Sequence, residues 1–298
     1  MLPVDRDFSS PYAAAVEISP LIRRVLARNP SPFTFHGTGT YIIGRGKVAV
    51  VDPGPLLDEH VEALKSTLTG ETVTHILITH THSDHSPAAA PFKLATGART
   101  YGFGPHGAGK RSEGVAVEEG GDMDFRPDIE LHDGDVIKGE GWTVECVYTP
   151  GHTSNHLCFG LREERALFSG DHVMGWSTTV IVPPDGDMAQ YFASLTKLHQ
   201  RDDQVMYPTH GNPIRAPSKF VGALIEHRHA RERQIEVCLH RGLCRIPEMV
   251  AVIYSEIDPR MHPAASMSVL AHLQHMVSTG RAITEGSGTS NSVYRAAN

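Results

Sequence analysis

Four residues of types that commonly bind metal ions lie within six positions of one another: His80, His82, Asp84 and His85. They follow the apolar run 76–78, Ile-Leu-Ile, whose composition is typical of a strand buried on both faces. Buried imidazoles and carboxylates need partners, and a metal ion serves all of them at once. Imidazole nitrogen and carboxylate oxygen are ligands that zinc accepts. The spacing H-x-H-x-D-H therefore predicts a metal site rather than a solvated histidine-rich loop.

Three further residues stand in the same position relative to a short apolar strand. His152 follows V-Y-T-P-G, Asp171 follows L-F-S-G, and His210 follows M-Y-P-T. Taken singly, each is equally well explained as a turn aspartate or a capping histidine. Their joint occurrence favours a different interpretation, because strand ends on one rim of a sheet bring distant residues together. The sequence therefore predicts that all seven side chains converge at one rim.

Other histidines have less certain roles in the sequence. His156 either packs against a metal ligand or faces the substrate, and His172, next to Asp171, is predicted to support a ligand. His106 lies in a glycine-rich segment, where it either contacts substrate or is merely solvated. The remaining histidines of the C-terminal part are predicted to lie on helix surfaces: His227, His229, His262, His272 and His275.

The composition is that of a globular protein, with 298 residues, 40% hydrophobic and 20% charged. A net charge of −7 gives no global basic character that would indicate nucleic-acid binding, which leaves a local basic groove as the open alternative. No apolar run approaches the roughly 18 residues of a membrane span, and the first residues do not resemble a secretory signal. The four scattered cysteines are predicted to be reduced thiols: Cys146, Cys158, Cys238 and Cys244. We therefore expect a cytoplasmic protein.

Periodicity and turn residues predict the elements that position these side chains. Strands are expected at 16–25, 38–44, 47–52 and 74–79, with Gly44-Arg45-Gly46 as a hairpin turn, and further short strands over 130–171 and near 205–207. Helices are expected at 56–68, 87–96 and 187–199. The segment 102–128, rich in glycine and acidic residues, is predicted to be a long surface loop bordering the site.

The character of the chain changes after about residue 215, where Pro213 and Pro217 interrupt it. Three helical segments and a short strand follow, which predicts a small winged-helix-like domain over 216–285 after a first domain at 1–215. Residues 286–298 are polar and glycine-containing and are predicted to be a disordered tail.

The motifs H-T-H-S-D-H, G-H-T, S-G-D and P-T-H-G, in this order, resemble the metallo-β-lactamase-fold hydrolases. The C-terminal segments H-R-x-x-R-E-R-Q-I, S-V-L-A-H-L and T-G-R-A resemble the β-lactamase-like-protein-2 branch, which includes hydrolases and a single-strand endoribonuclease. The resemblance implies an α/β fold, the αββα sandwich. It also implies three ligand groups: His80, His82 and His152 for a first metal, Asp84, His85 and His210 for a second, and Asp171 as a bridge between them.

This resemblance implies a dinuclear hydrolase with two Zn²⁺ ions, or Fe or Mn in their place. A metal-bridging hydroxide would attack an ester, thioester, lactone or lactam carbonyl of a small molecule, with Asp84 also orienting the nucleophile. The alternative is a metal-dependent endonuclease acting on single-stranded RNA, against which stand the net charge and the lack of a basic-aromatic platform. A non-enzymatic winged-helix binder is a third hypothesis, disfavoured by the intact ligand set. The C-terminal helices could pair as a homodimer surface.

Overall fold

The computed structural model describes residues 2–108, 120–286 and 288–297, so part of the predicted loop at 102–128 lies outside the described residues. The strands in chain order are β1 (Ala15–Glu17), β2 (Ile22–Leu26), β3 (Gly39–Ile43), β4 (Lys47–Val51), β5 (Thr72–Leu77), β6 (Arg99–Gly102), β7 (Ile129–Glu130), β8 (Val136–Lys138), β9 (Thr143–Tyr148), β10 (Leu157–Leu161), β11 (Ala166–Gly170), β12 (Val205–Pro208), β13 (Ala282–Thr284) and β14 (Tyr294–Ala296). The α-helices are α1 (Asp58–Thr67), α2 (Ala89–Thr96), α3 (Met188–His199), α4 (Pro217–His240), α5 (Ile246–Ile253) and α6 (His262–Ser278).

Two sheets form the centre of the first domain. Seven strands pair in the order β1-β2-β3-β4-β5-β6-β7, antiparallel as far as β4 and parallel from β4 onward. Five strands pair in the order β12-β11-β10-β9-β8, and of these pairs only β11–β12 is parallel. Each parallel pair places the carboxyl ends of neighbouring strands at the same edge, which is where the predicted ligands follow their strands.

The sheets pack face to face, with helices on both outer sides. The core between them joins Tyr41, Val51 and Leu77 of the first sheet to Phe159 and Phe168 of the second. The outer face of the first sheet is covered by α1 and α2, and that of the second by α3 and the first half of α4. This is the predicted αββα sandwich, and the prediction is confirmed. Continuous burial along the central strands β3, β10 and β11 explains it, because each sheet is apolar on both faces.

The predicted strand at 16–25 is wrong in one respect, because it is two strands. Ser19 and Pro20 form a turn in which the Ile22 amide donates to Ser19 Oγ at 3.1 Å, and β1 then folds back antiparallel on β2. Proline cannot donate to a ladder, so an X-Pro step inside an apolar run favours a turn over a continuous strand. The hairpin at 44–46 is present as predicted, with both glycines at positive φ.

The C-terminal part has its own apolar core. Residues of α4, α5 and α6 pack together there, among them Ile235, Met249, Leu273 and the buried Tyr294 of the last strand. The first half of α4 instead contacts α3, since Phe220 and Val221 belong to the core of the first domain. One helix therefore serves both units, and the predicted boundary at 215/216 stays a prediction. Among the described residues, none of the helices combines the length and the apolar character that crossing a membrane requires.

The predicted disordered tail at 286–298 is wrong over its last residues. Strand β14 pairs antiparallel with β13 as the two-stranded wing of the C-terminal unit. Tyr294 is fully buried, its amide donates to the Cys244 carbonyl at 2.8 Å, and its hydroxyl donates to the Thr289 carbonyl at 2.9 Å. A polar, glycine-containing segment is ordered here because one aromatic side chain anchors it in the core.

His272 is a second correction, because it is fully buried rather than on a helix surface. Its Nδ1 lies 3.3 Å from Glu232 Oε1, His275 Nδ1 donates to the same oxygen at 2.7 Å, and Arg281 pairs with Glu232 Oε2 at 2.6 Å. Burial alone would raise the pKa of Glu232, but these three donors outweigh burial and hold it well below its usual range. A buried carboxylate thus joins α4, α6 and the start of the wing.

Replacing Tyr294 with alanine should destabilise the protein by about 3–5 kcal/mol, the usual cost of truncating a buried aromatic side chain. Urea unfolding measures the change. Arg295→Ala is the matched control, because Arg295 is the next residue of the same strand and its side chain is exposed. Equal stability of the two variants would show that the tail contributes nothing to the core.

Glu232→Gln should lower the free energy of unfolding at pH 7 by about 1–3 kcal/mol, because it weakens charge-assisted hydrogen bonds. A carboxylate whose pKa is lowered in the folded state stabilises the fold at pH values above its ordinary pKa of 4.5. This contribution is lost as the pH falls below that value. The gap between variant and wild type should therefore stay constant from pH 7 to about pH 5 and shrink as the pH falls below 4.5 in urea titrations, with the exposed Glu226→Gln as control. A gap that does not change with pH would contradict this assignment.

Candidate active site

Four strand ends converge at one edge of the sandwich. The pairing of Val51 with Leu77 and of Gly170 with Pro208 brings the residues that follow each strand side by side. The two sheets are joined at this point, since the Leu157 amide donates to the Thr79 carbonyl at 2.7 Å. The structure thereby brings together all seven residues predicted from strand-end position: His80, His82, Asp84, His85, His152, Asp171 and His210.

Three imidazoles form one group of candidate ligands. The Nδ1 atom of His82 lies 3.0 Å from Nε2 of His80 and 3.0 Å from Nε2 of His152. The other nitrogen of His152 donates to the Val180 carbonyl at 2.8 Å, so its Nε2 presents a lone pair to the site. His80 Nδ1 lies 3.0 Å from Thr79 Oγ1, whose hydroxyl already donates to Asp52, so His80 also turns its Nε2 lone pair inward. Lone pairs that meet at one point favour a cation there.

A second group combines imidazoles with carboxylates. His210 Nε2 lies 3.2 Å from Asp84 Oδ2 and 3.3 Å from Asp171 Oδ1, while its Nδ1 donates to the Gly37 carbonyl at 3.0 Å. His85 Nε2 lies 3.4 Å from Asp84 and 3.6 Å from Asp171. Asp171 can also group with His80 and His85, so it stands between the two sets. The Thr38 hydroxyl donates to Asp84 Oδ2 at 2.9 Å and holds that carboxylate in place.

Several of these atoms are buried without a hydrogen bond, which tests whether a metal fits. Within the described residues, His85 Nε2 and Asp171 Oδ1 have no hydrogen-bond partner although ring nitrogens and carboxylates surround them. Atoms that lie 3.2–3.6 Å apart but do not align as donor and acceptor point at a shared space rather than at each other. The donor set of imidazole nitrogen and carboxylate oxygen suits zinc, so the residues fit a metal ion.

Burial and charge act oppositely on the two groups. Burial, reinforced by the neighbouring histidines, lowers the pKa of His80 well below its usual value, so its imidazole is neutral. Burial would also lower the pKa of His210, but the Asp171 and Asp84 carboxylates outweigh it and raise the pKa to about 10. The same carboxylates raise the pKa of His85 against the effect of its burial.

Asp52 is a functional residue that the sequence analysis missed. Its buried carboxylate accepts hydrogen bonds from the Thr79 amide (2.7 Å), the Thr79 hydroxyl (2.7 Å) and His85 Nδ1 (2.9 Å). It therefore orients His85 directly and His80 through Thr79. Its backbone adopts a positive φ of 48°, which is uncommon outside glycine and fits a constrained position beside a site. The available signal was its place directly after β4, the rule already used for Asp171.

Two further histidines, His156 and His172, lie close to the ligand groups. His156 is fully buried, bonds Thr149 Oγ1 through Nδ1 at 2.9 Å, and has its ring centroid 5.0 Å from that of His80. His172 is fully buried 4.6 Å from the Tyr191 ring, and burial holds the pKa of both histidines well below the usual range. Both pack behind the site as neutral rings. A substrate role for His156 stays a prediction.

His106 is buried, so the predicted solvated side chain is wrong. Its other predicted role, a contact with substrate, stays a prediction. Its Nδ1 lies 2.8 Å from Thr81 Oγ1, and its ring centroid lies 6.0 Å from that of His82. Asn155 Nδ2 donates to the same Thr81 hydroxyl at 2.8 Å. His106 and Asn155 together hold Thr81 of the ligand loop in place.

Comparison with known proteins agrees with this geometry. The profile of the metallo-beta-lactamase superfamily matches residues 34–210, and that of the beta-lactamase associated winged helix domain matches residues 246–290. The chain belongs to the metallo-beta-lactamase superfamily and is a hydrolase of that superfamily, as its resemblance predicted. A solved beta-lactamase domain protein from Burkholderia ambifaria shares the fold with a TM-score of 0.77 at 21% identity, covering 98% of this chain and 96% of that one.

Named relatives extend the comparison. The chain is 37% identical over 74% of its length to a beta-lactamase-like protein 2 homolog from Caenorhabditis elegans, of which it covers 71%. It is 32% identical over 80% of its length to an atrochrysone carboxyl ACP thioesterase from Claviceps purpurea, of which it covers 74%. Lactamase-like protein adaB from Aspergillus niger is 31% identical over 83% of this chain and 77% of its own length.

Asp52→Asn should lower the affinity of the site for zinc by about 10–100-fold, because an amide has one acceptor oxygen and cannot accept both from the Thr79 amide at Oδ1 and from His85 and the Thr79 hydroxyl at Oδ2. Zinc titration against a competing chelator measures the change. Asp128→Asn is the matched control, because the amide and hydroxyl of Thr100 bond Asp128 (2.9 and 3.0 Å) as those of Thr79 bond Asp52, but away from the site. Equal zinc affinity of both variants would remove Asp52 from the site.

Proposed function

We propose that the protein is a dinuclear zinc hydrolase that cleaves thioesters of small acyl groups. One observation carries the proposal: two sets of three ligand atoms, each set lying within 4.8 Å, meet at one rim with Asp171 between them. In this proposal His80, His82 and His152 would hold the first zinc, Asp84, His85 and His210 would hold the second, and Asp171 would serve both. Iron or manganese could replace zinc at such sites.

When bound, a pair of divalent ions lowers the pKa of water towards neutrality and polarises a carbonyl group. The chain's own residues prepare the place for this chemistry. Burial would raise the pKa of Asp84, but His85 and His210 outweigh it and lower the pKa, so Asp84 stays ionised. Because Thr38 fixes Asp84 Oδ2, the carboxylate can orient the attacking water as well as bind metal.

The reaction uses water as its only co-substrate. The water oxygen adds to the thioester carbonyl carbon, and the carbon–sulfur bond breaks. The products are a carboxylic acid and a thiol, each of which keeps one of the two protons of the water. Asp84 is placed to hold the attacking water through a hydrogen bond, and the proton that the water releases as its oxygen adds is the one that the departing sulfur takes up. A thiolate is a better leaving group than an amine, so the step does not require a separate strong acid.

The choice of a thioester rests on the relatives. Several proteins that cover most of this chain are named atrochrysone carboxyl ACP thioesterases, at 30–33% identity. Cleavage of single-stranded RNA, the alternative, has less support, because two arginines of the basic run at 228–233 are engaged in contacts within the protein. Arg228 is buried and donates to the Thr179 carbonyl, and the Arg231 guanidinium lies 4.1 Å from the centre of the Tyr254 ring. Three buried free thiols support the proposed cytoplasmic location: Cys146, Cys158 and Cys238.

A substrate panel tests the proposal with zinc-loaded protein: octanoyl-pantetheine, the corresponding oxygen ester, nitrocefin and labelled single-stranded RNA. We expect hydrolysis of the thioester, abolished by a chelator and restored by zinc. His80→Ala should reduce the rate by at least about 100-fold. His132→Ala, an exposed histidine outside the ligand groups, is the control and should keep full activity. RNA cleavage without thioester hydrolysis, lost in His80→Ala, would replace this proposal with the nuclease.

A further inference from the structure

A groove runs between α4 and α5 on the side of the C-terminal unit, with a volume of about 450 Å³. Val237, Val252 and Ile253 line it, and Val237 and Val252 are 55% and 47% exposed. Two aliphatic side chains left half in water beside one another, on packed helices that bury their other faces, are a typical feature of an interaction surface.

The rim of the groove is positively charged. Arg233 and Arg241 line it, and no acidic side chain is among its lining residues. The whole chain carries a net charge of −7, so two arginines beside an apolar floor form a local exception. Arg233 also pairs with Glu226, but both side chains are more than half exposed, so that pair contributes little and is easily exchanged. The groove thus complements a surface that is apolar in the centre and acidic at the edges.

Nucleic acid fits this groove less well than a protein helix does. Bases need aromatic side chains to stack on, and the lining residues are aliphatic, polar or cationic. Tyr254, the aromatic residue at the end of α5, already faces Arg231. An amphipathic helix instead places apolar residues at helical spacing into such a groove and its charges along the rim.

The groove is connected to the active site through α4. Arg228 of this helix donates to the Thr179 carbonyl, and the Thr179 hydroxyl donates to the carbonyl of Asp171 at 2.7 Å. Val237 lies nine residues further along the helix, which corresponds to about 14 Å at a rise of 1.5 Å per residue. A partner seated in the groove would therefore be held about two and a half turns along the helix from the loop that carries Asp171.

We propose that this groove docks an acidic amphipathic helix of a carrier protein, whose covalently attached acyl thioester is the substrate of the active site. The inference rests on the proposed thioesterase function and specifies its partner. The apolar floor seats the helix, Arg233 and Arg241 pair with its acidic edges, and α4 fixes the distance to the metal-ligand loop. Docking of the carrier contributes to KM, whereas the chemical step depends on the site alone.

The test compares one acyl group on two carriers: octanoyl on an acyl carrier protein and octanoyl-pantetheine. The double variant Arg233→Glu/Arg241→Glu should lower kcat/KM for the carrier-protein substrate by about tenfold or more through KM. Its kcat/KM for octanoyl-pantetheine should equal that of the wild type. Arg162→Glu, a charge reversal on an exposed arginine of the first domain, should change neither value. An equal effect of the double variant on both substrates, or no effect on either, overturns the docking proposal.

Direct binding separates this proposal from the proposed function. Binding of the acyl-free carrier protein, followed by fluorescence anisotropy, should weaken in the double variant and in Val237→Asp. If neither thioester is hydrolysed but this binding pattern holds, the function fails and the docking stands. If Val237→Asp instead converts a dimer into a monomer in light scattering, the groove belongs to a second copy of this chain. If the double variant loses binding to single-stranded RNA rather than to the carrier, the occupant is nucleic acid; both results overturn the proposal.

Discussion

The carboxylate of Asp52 is the interaction on which the site depends. It is buried between the ends of β4 and β5 and accepts hydrogen bonds from the Thr79 amide, the Thr79 hydroxyl and His85. A buried charge is tolerated only where donors surround it, so the chain must hold these donors in one arrangement. That arrangement directs the inner nitrogens of His80 and His85 towards the same space. The hydrogen bonds of Asp52 therefore order the ligand loop independently of any bound ion.

The two ligand groups differ in the charge that they present. His80 is kept neutral by burial among other imidazoles, whereas the two carboxylates favour protonated forms of His85 and His210. A cation entering the second group would displace protons, because a metal takes the same lone pairs. One group thus offers neutral nitrogen alone, whereas the other combines imidazole with carboxylate. Two cations held there would have surroundings that are not equivalent.

The sequence predicted the site better than it predicted the surroundings. The rule that a polar residue follows a short apolar strand placed seven side chains correctly, because strand ends in a two-sheet sandwich share an edge. The same rule applied to Asp52 was not used, since an Asp-Pro-Gly step is also an ordinary turn. Which of several helical histidines is buried depends on tertiary contacts, and so His272 was misplaced. The wing strand β14 escaped prediction because a single tyrosine anchors a segment whose composition is that of a loop.

Arg228 links the two units in a way that limits how they can be exchanged. Its buried guanidinium belongs to α4, donates to the carbonyl of Thr179 and lies over the Tyr191 ring at 5.1 Å from the centroid, so both of its partners are in the first domain. Replacing the C-terminal unit with that of a distant relative would leave these partners facing a foreign side chain. The helix and the loop it supports therefore form one packing unit, and a chimaera joined before α4 would lose both contacts of Arg228.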